Sequence, residues 1–197
     1  MVVPGVGTVA ALFAHSGVGR TIVSALKHRD DRAVAAWLGE GLASLPTAAG
    51  RVDVVTWVPA STLRVRQRGH DTGQMLAREV GRRIEASVGG LLVRAAGPAQ
   101  TGRRRADRLA GPTLRLDPTA AARWLRLPQD HQHRRGRQGC GPRVLVVDDV
   151  VTTGASMAAA AAVLRPAGAV SVSAAAVAIR PFEGRSPGHY NHRTHHE

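Results

Sequence analysis

Two kinds of hydrophobic pattern alternate along the chain, and together they predict its layers. Continuous β-branched runs fit strands buried on both faces, whereas apolar residues three and four positions apart fit helices with one buried side. Thr8 to Ala14 reads as a short strand, and Gly17 and Gly19 lead into GRTIVSALKHR, which has helical spacing. A second helix is predicted over Asp30 to Leu45 from Val34, Ala35, Leu38 and Leu42, opened by two aspartates and ended near Pro46. VDVVTWVP, Val52 to Pro59, is a central strand, followed by a polar, arginine-rich loop. Met75, Leu76, Val80 and Ile84 form one stripe of a helix over Asp71 to Ser87, with Asp71 as its N-cap.

A short strand, Leu91 to Arg94, comes next. Gly97 to Pro112 has no period and reads as an exposed, mobile loop, and Leu127 to Pro142 reads as a polar, glycine-rich linker or insertion. The strongest strand is RVLVVDDV from Arg143; it runs through a turn into an alanine-rich helix, Ala155 to Leu164, closed by Pro166 and Gly168. Val170 to Ile179 is the last strand, and residues 181–197 form a tail too polar to be core. Alternating strands and helices predict an α/β fold, a central and mostly parallel sheet flanked by helices. Residues 1–50 are expected as an N-terminal cap part, 51–180 as the core with a flexible insertion at about 97–142, and 181–197 as a disordered tail.

Composition narrows this picture. With 197 residues the chain is of one-domain size, and 44% apolar residues suffice for a core. Aromatics are only 3%, so the core is Ala, Val and Leu, and a base-stacking surface for single strands has few members. The formal net charge is +13, and Arg64 to Arg137 alone carries +11. Such a surplus favours phosphates, pyrophosphate, nucleic acid or acidic lipid heads without choosing among them. One cysteine, Cys140, makes neither an internal disulfide nor by itself a zinc site. The apolar start lacks a basic signal-peptide region and no run reaches bilayer length, so a cytoplasmic protein without membrane contact is expected.

The segment that carries chemistry is VLVVDDVVTTGAS, Val144 to Ser156. In open α/β sheets ligands bind at the carboxyl ends of the strands, where this acidic pair lies. The turn from Val151 supplies N–H groups at a helix N-terminus, suited to a phosphate. Thr152, Thr153 and Ser156 add hydroxyls, and Gly154 permits close backbone approach. Two adjacent carboxylates accept hydrogen bonds from the vicinal hydroxyls of a ribose and can hold Mg²⁺ through water. Acids for the sugar and amides for its phosphate describe a ribose 5-phosphate.

This stretch resembles the phosphoribosyl pyrophosphate (PRPP) motif of type I phosphoribosyltransferases. ALKHRDDRAVAAWLGEGLA, WVPASTLRVRQRGHDTGQMLAREV and the Gln100 to Arg108 segment resemble successive blocks of the ComF family, whose members are phosphoribosyltransferase-like and in part associated with DNA uptake. The resemblance implies a type I phosphoribosyltransferase-like fold with a mobile basic hood. By the same resemblance, Asp148 and Asp149 bind ribose, and Val151, Thr152, Thr153, Gly154, Ala155 and Ser156 form the 5-phosphate loop. Val58 to Gly69 matches the pyrophosphate loop, with Arg66, Arg68 and Gly69 at the anion. Lys27 matches the lysine of the early block. Arg103, Arg104, Arg105 and Arg108 lie where related enzymes carry the hood; Arg103 and Arg104 are then catalytic candidates beside the two aspartates. A solvated basic loop and a phosphate-backbone patch are equal readings of the same arginines.

The pattern has departures. The family's N-terminal cysteine-rich zinc ribbon is absent, His70, Asp71 and Thr72 stand where Phe, Asn and Gln are common, and no Asn follows Arg108. The function expected is Mg²⁺-dependent transfer of 5-phosphoribosyl from PRPP to a nitrogen acceptor with release of pyrophosphate. The alternative is a non-catalytic, ComF-type competence or PRPP-responsive factor that binds nucleic acid, with single-stranded DNA and a second copy of the chain as candidate partners. Four histidines in the tail, His189, His192, His195 and His196, read as a solvated end rather than a metal site.

Overall fold

The computed structural model describes residues 1–28, 32–95, 111–125 and 141–180. Its centre is a sheet of six strands: β1 (Val2–Val3), β2 (Gly7–Ala14), β3 (Val54–Trp57), β4 (Ser87–Val88), β7 (Arg143–Val151) and β8 (Ser171–Ile179). Their spatial order is β1-β2-β8-β7-β3-β4. β1 runs antiparallel to β2, and the other five strands are mutually parallel. A separate antiparallel ribbon pairs β5 (Leu92–Arg94) with β6 (Leu114–Leu116). Seven helices occur among the described residues: α1 (Gly17–His28), α2 (Arg32–Ala43), α3 (Pro46–Ala49), α4 (Thr62–Arg68), α5 (Thr72–Arg83), α6 (Pro118–Leu125) and α7 (Ala155–Leu164).

Successive side chains of a strand point to opposite faces, so a run such as Val144–Val147 feeds two cores. On one face Leu145 and Val147, with Val55 and Val177, meet Val23 and Leu26 of α1, Leu38 and Leu42 of α2, and Leu76 and Val80 of α5. On the other, Val144 and Val146, with Val54 and Ala174, meet Met157, Ala160, Ala161 and Leu164 of α7 and Leu92 and Leu114 of the ribbon. The result is the helix–sheet–helix layering expected of a buried parallel sheet. Residues 1–50 contribute β2 to the main sheet, and α1 and α2 to one face.

Three local differences from the sequence expectation have physical causes. The arginine-rich loop after Pro59 is a helix, α4, which buries no residue and therefore shows no apolar stripe. Residues 111–125, inside the stretch expected to be a flexible insertion, form β6 and α6; β6 finds its partner far back in sequence at β5. The helix expected to reach Ser87 stops at Arg83, because Ser87 and Val88 pair with β3 at the sheet edge. Trp37 is 56% exposed and stacks on Phe13 at a centroid distance of 6.2 Å. Asp71 is the N-cap of α5, accepting from the N–H groups of Gly73 and Gln74.

Candidate functional site

β7 ends in the acidic pair and hands over to α7 through Thr152–Gly154, at the carboxyl edge of the sheet. An open cleft lies there, lined by Gly111, Asp148 and the continuous stretch Val150–Met157. Asp148, Val151, Thr152, Thr153, Gly154, Ala155 and Ser156, all named from the sequence, are thus brought together. Gly154 caps α7 with φ +78°, a left-handed conformation that favours glycine. A Cβ there would lie 2.5 Å from Val3 Cγ2 and 3.3 Å from Met1 Sδ. The N-terminal strand therefore props the turn from behind. Thr153 Oγ1 accepts from the Ala155 N–H at 3.3 Å, and Thr152 and Thr153 are exposed to the cleft mouth. The aligned peptides of α7 favour negative charge at this end.

Gly111, also at φ +72°, presses against the start of α7, since a Cβ on it would meet Ala155 at 3.0 Å. Gly111 thus lies beside the turn that opens α7.

The two carboxylates part company. Asp148 follows Val144 and Val146 onto the α7 side and lines the cleft. Asp149 follows Leu145 and Val147 toward α1, where its Oδ2 lies 3.0 Å from Lys27 Nζ. Burial pushes the Asp148 carboxyl well above the usual carboxylate range, and the charges of Asp149 and then Asp71 add to the rise. The Asp149 N–H, donating to Asp148 Oδ1 at 2.8 Å, and the Lys27 ammonium oppose it without reversing it.

His15, at the end of β2, belongs to the same edge. Its Nδ1 is buried and has no hydrogen-bond partner among the described residues. Burial first, then Arg20, Lys27 and Arg180, lower its pKa, with Asp149 pulling the other way.

The segment after β3 is tied down from two sides. Asp71 Oδ2 accepts from the Ala60 N–H at 2.9 Å, and Arg94 Nε donates to Pro59 O at 2.7 Å. Arg66 and Arg68 fall in the last turn of α4, and Gly69 is its left-handed C-cap, donating its N–H to Val65 O. None of these three lines the cleft. Arg103, Arg104, Arg105, Arg108, Cys140 and the histidine tail lie outside the described residues. No group of three or more His, Cys, Asp or Glu side chains able to hold a metal occurs among the described residues, and no helix there is long and apolar enough to cross a membrane.

Sequence reasoning missed Gly111, Val150, Met157 and His15, and the partner of Lys27. The strand period of two placed Asp149 with Leu145 and Val147, on the face that α1 covers, and was the available signal for that ion pair.

No protein-family model matches the chain, and no curated protein sequence matches it. Among solved structures, the allosteric regulatory enzyme of purine biosynthesis is similar over 78% of this chain and 30% of its own, at 19% identity and a TM-score of 0.47. The protein TT1426 from Thermus thermophilus is similar over 81% of this chain and 88% of its own, at 23% identity and a TM-score of 0.40. The chain thus spans less than a third of the purine enzyme's length.

Proposed function

We propose that the cleft binds PRPP and that the chain is a phosphoribosyltransferase-like protein of the ComF type. The observation that carries this reading is the junction of Asp148 with a glycine-capped, hydroxyl-bearing helix start in one cleft. The α7 amides and the Thr152, Thr153 and Ser156 hydroxyls take the 5-phosphate, and Asp148 accepts from a ribose hydroxyl. Such donors stabilise the ionised carboxylate, which burial alone disfavours. In transfer, the anomeric C–O bond to pyrophosphate breaks, a C–N bond to the acceptor forms, and the nitrogen loses a proton. The ionised Asp148 then faces a sugar gaining positive charge, a stabilisation present where that charge develops.

Mg²⁺ fits this donor set as a hard cation carried mainly by the ligand's own oxygens, with Asp148 the carboxylate at hand. Bound there, it supplies charge neutralisation for the leaving pyrophosphate. Arg66, Arg68 and Gly69 are proposed at the pyrophosphate end, and Arg103, Arg104 and Arg108 over the reacting centre.

Calorimetric titration of PRPP with and without Mg²⁺ tests the reading. Mg²⁺-dependent binding is expected, weakened at least ~10-fold (~1.4 kcal/mol) by Asp148→Asn and by Thr153→Val. A folded wild type that binds no PRPP overturns it. A second reading, binding without transfer, is favoured by Asp71: its carboxylate already holds the Ala60 N–H in the segment proposed for pyrophosphate. Release of pyrophosphate with any nucleobase or amine acceptor decides between the two.

A further inference from the structure

The chain contains 26 arginines and one lysine, and that lysine stands at the acidic pair. We propose that Lys27 is a built-in counter-ion that occupies the cation position at Asp149, so that the ligand-free pair excludes a divalent cation and only Asp148 stays open to the cleft. Lys27 follows Leu26, which is wholly buried, and Val23 is 2% exposed, so the helix that delivers the ammonium is fixed against the sheet. The two partners are themselves largely covered, at 23% and 15% exposure, and lie 3.0 Å apart. Partial burial makes such a pair stronger than a surface one and harder for a cation from solvent to replace.

The chemistry of the residue supports the role. An ammonium is a compact point charge with three donors, whereas a guanidinium is a planar fork with directional demands. In a chain that otherwise uses arginine for every strong cation, the one compact ammonium meets the one carboxylate that would otherwise share a metal with its neighbour. Lys27 is in this sense a positioning residue: the strand's alternation places Asp149 on the α1 side, and Lys27 holds its carboxylate there. On the PRPP reading, the divalent cation then arrives on the ligand's oxygens instead of waiting in an empty site; only this last step rests on that reading.

The test uses the full chain without PRPP. Mn²⁺ alone is titrated into wild type, Lys27→Met and Lys27→Met/Asp149→Asn, with free Mn²⁺ read by electron paramagnetic resonance and folding checked by circular dichroism. The single mutant is expected to bind Mn²⁺ at least ~10-fold more tightly than wild type (~1.4 kcal/mol), and the double mutant to return to the wild-type level. Equal affinity of wild type and Lys27→Met overturns the proposal, as does retention of the gain in the double mutant. Should Lys27→Met not fold, a second readout remains. A protein labelled with ¹⁵N-lysine carries one side-chain ammonium signal, expected to exchange slowly in wild type and to broaden away in Asp149→Asn. A signal unchanged by that substitution overturns the ion pair in solution. Neither readout contains PRPP, so failure here and failure of PRPP binding are separate results.

Discussion

Gly154→Ala is the sharpest test of how the cradle is held. The residue sits at φ +78°, where an L side chain is strained, and its new Cβ would press on Val3 Cγ2 at 2.5 Å. Left-handed backbone costs roughly 1–2 kcal/mol outside glycine. Overpacking a tight contact adds about 1–3 kcal/mol, because Val3 is 2% exposed and belongs to the core cluster with Val151, Met157 and Ala161. The sum is about 2–5 kcal/mol, or roughly 4–20 °C in Tm for a chain of this size. Thermal and urea unfolding of wild type, Gly154→Ala, Val3→Ala and the double mutant separate the two parts. Val3→Ala should destabilise wild type through lost burial but destabilise the Gly154→Ala background less, giving a coupling of about 1–3 kcal/mol. Additive effects, or a Gly154→Ala protein as stable as wild type, would refute the account of β1 as the backing of the turn.

Other consequences can be checked in the same assays. Asp71→Ala removes the α5 cap and the Ala60 tether together, with an expected loss of about 1–2 kcal/mol in urea unfolding; Asp71→Asn should recover the cap but not the tether, which needs the second acceptor oxygen. Gly39→Ala improves helix propensity, yet its Cβ would collide with that of Glu79 where α2 crosses α5, so a net loss of about 1–3 kcal/mol is expected. Asp148 is a carboxyl whose folded pKa is raised, so the native state holds its proton longer than the unfolded chain does. Its contribution to stability is present at and below the ordinary carboxylate range and is lost as pH rises through the folded value. Asp148→Asn should therefore gain on wild type in melting temperature from about pH 4 upward; a gap constant between acid and neutral pH would contradict this. His15 shows the opposite sense: a lowered histidine pKa makes the native state lose stability as pH falls below about 6.5, and His15→Gln should flatten that loss.

The sheet and its principal helices were legible because their signals are local. Val52 to Pro59, Val144 to Val151 and the stripe Leu76, Val80 carry their periodicity within a few residues, and the Asp71 cap is a contact two and three residues long. What was missed depends on distance in sequence or on the absence of burial. β6 exists because Leu114–Leu116 pairs with β5 across the intervening chain, and α4 forms without a buried residue to mark it. Asp71 looked like a cap and is one, but its second bond, to an amide eleven residues earlier, is a tertiary fact with no local trace. The turn between β7 and α7 was readable because strand, turn and helix start are contiguous. Arg66, Arg68 and Gly69, also named from the sequence, do not line the cleft, and α4 has no buried residue from which spacing could fix its place.

One pattern was present in the sequence and carries further than the motif itself. Asp148 and Asp149 are neighbours in the chain, yet a strand of period two sends them to different layers, one toward α7 and the cleft, the other toward α1 and Lys27. The two aspartates of the pair thus have different partners in the structure. Asp148 bears the desolvation that raises its pKa; Asp149 is ion-paired with Lys27, and its N–H holds its neighbour's Oδ1. If both carboxylates faced the cleft without Lys27, their mutual repulsion would be relieved by a proton or by a metal ion from solvent. With Asp149 satisfied from the far face, a single half-buried carboxylate remains beside the helix N-terminus. On the PRPP reading, that carboxylate is the acceptor for a hydroxyl and the helix start the cradle for an anion, set side by side.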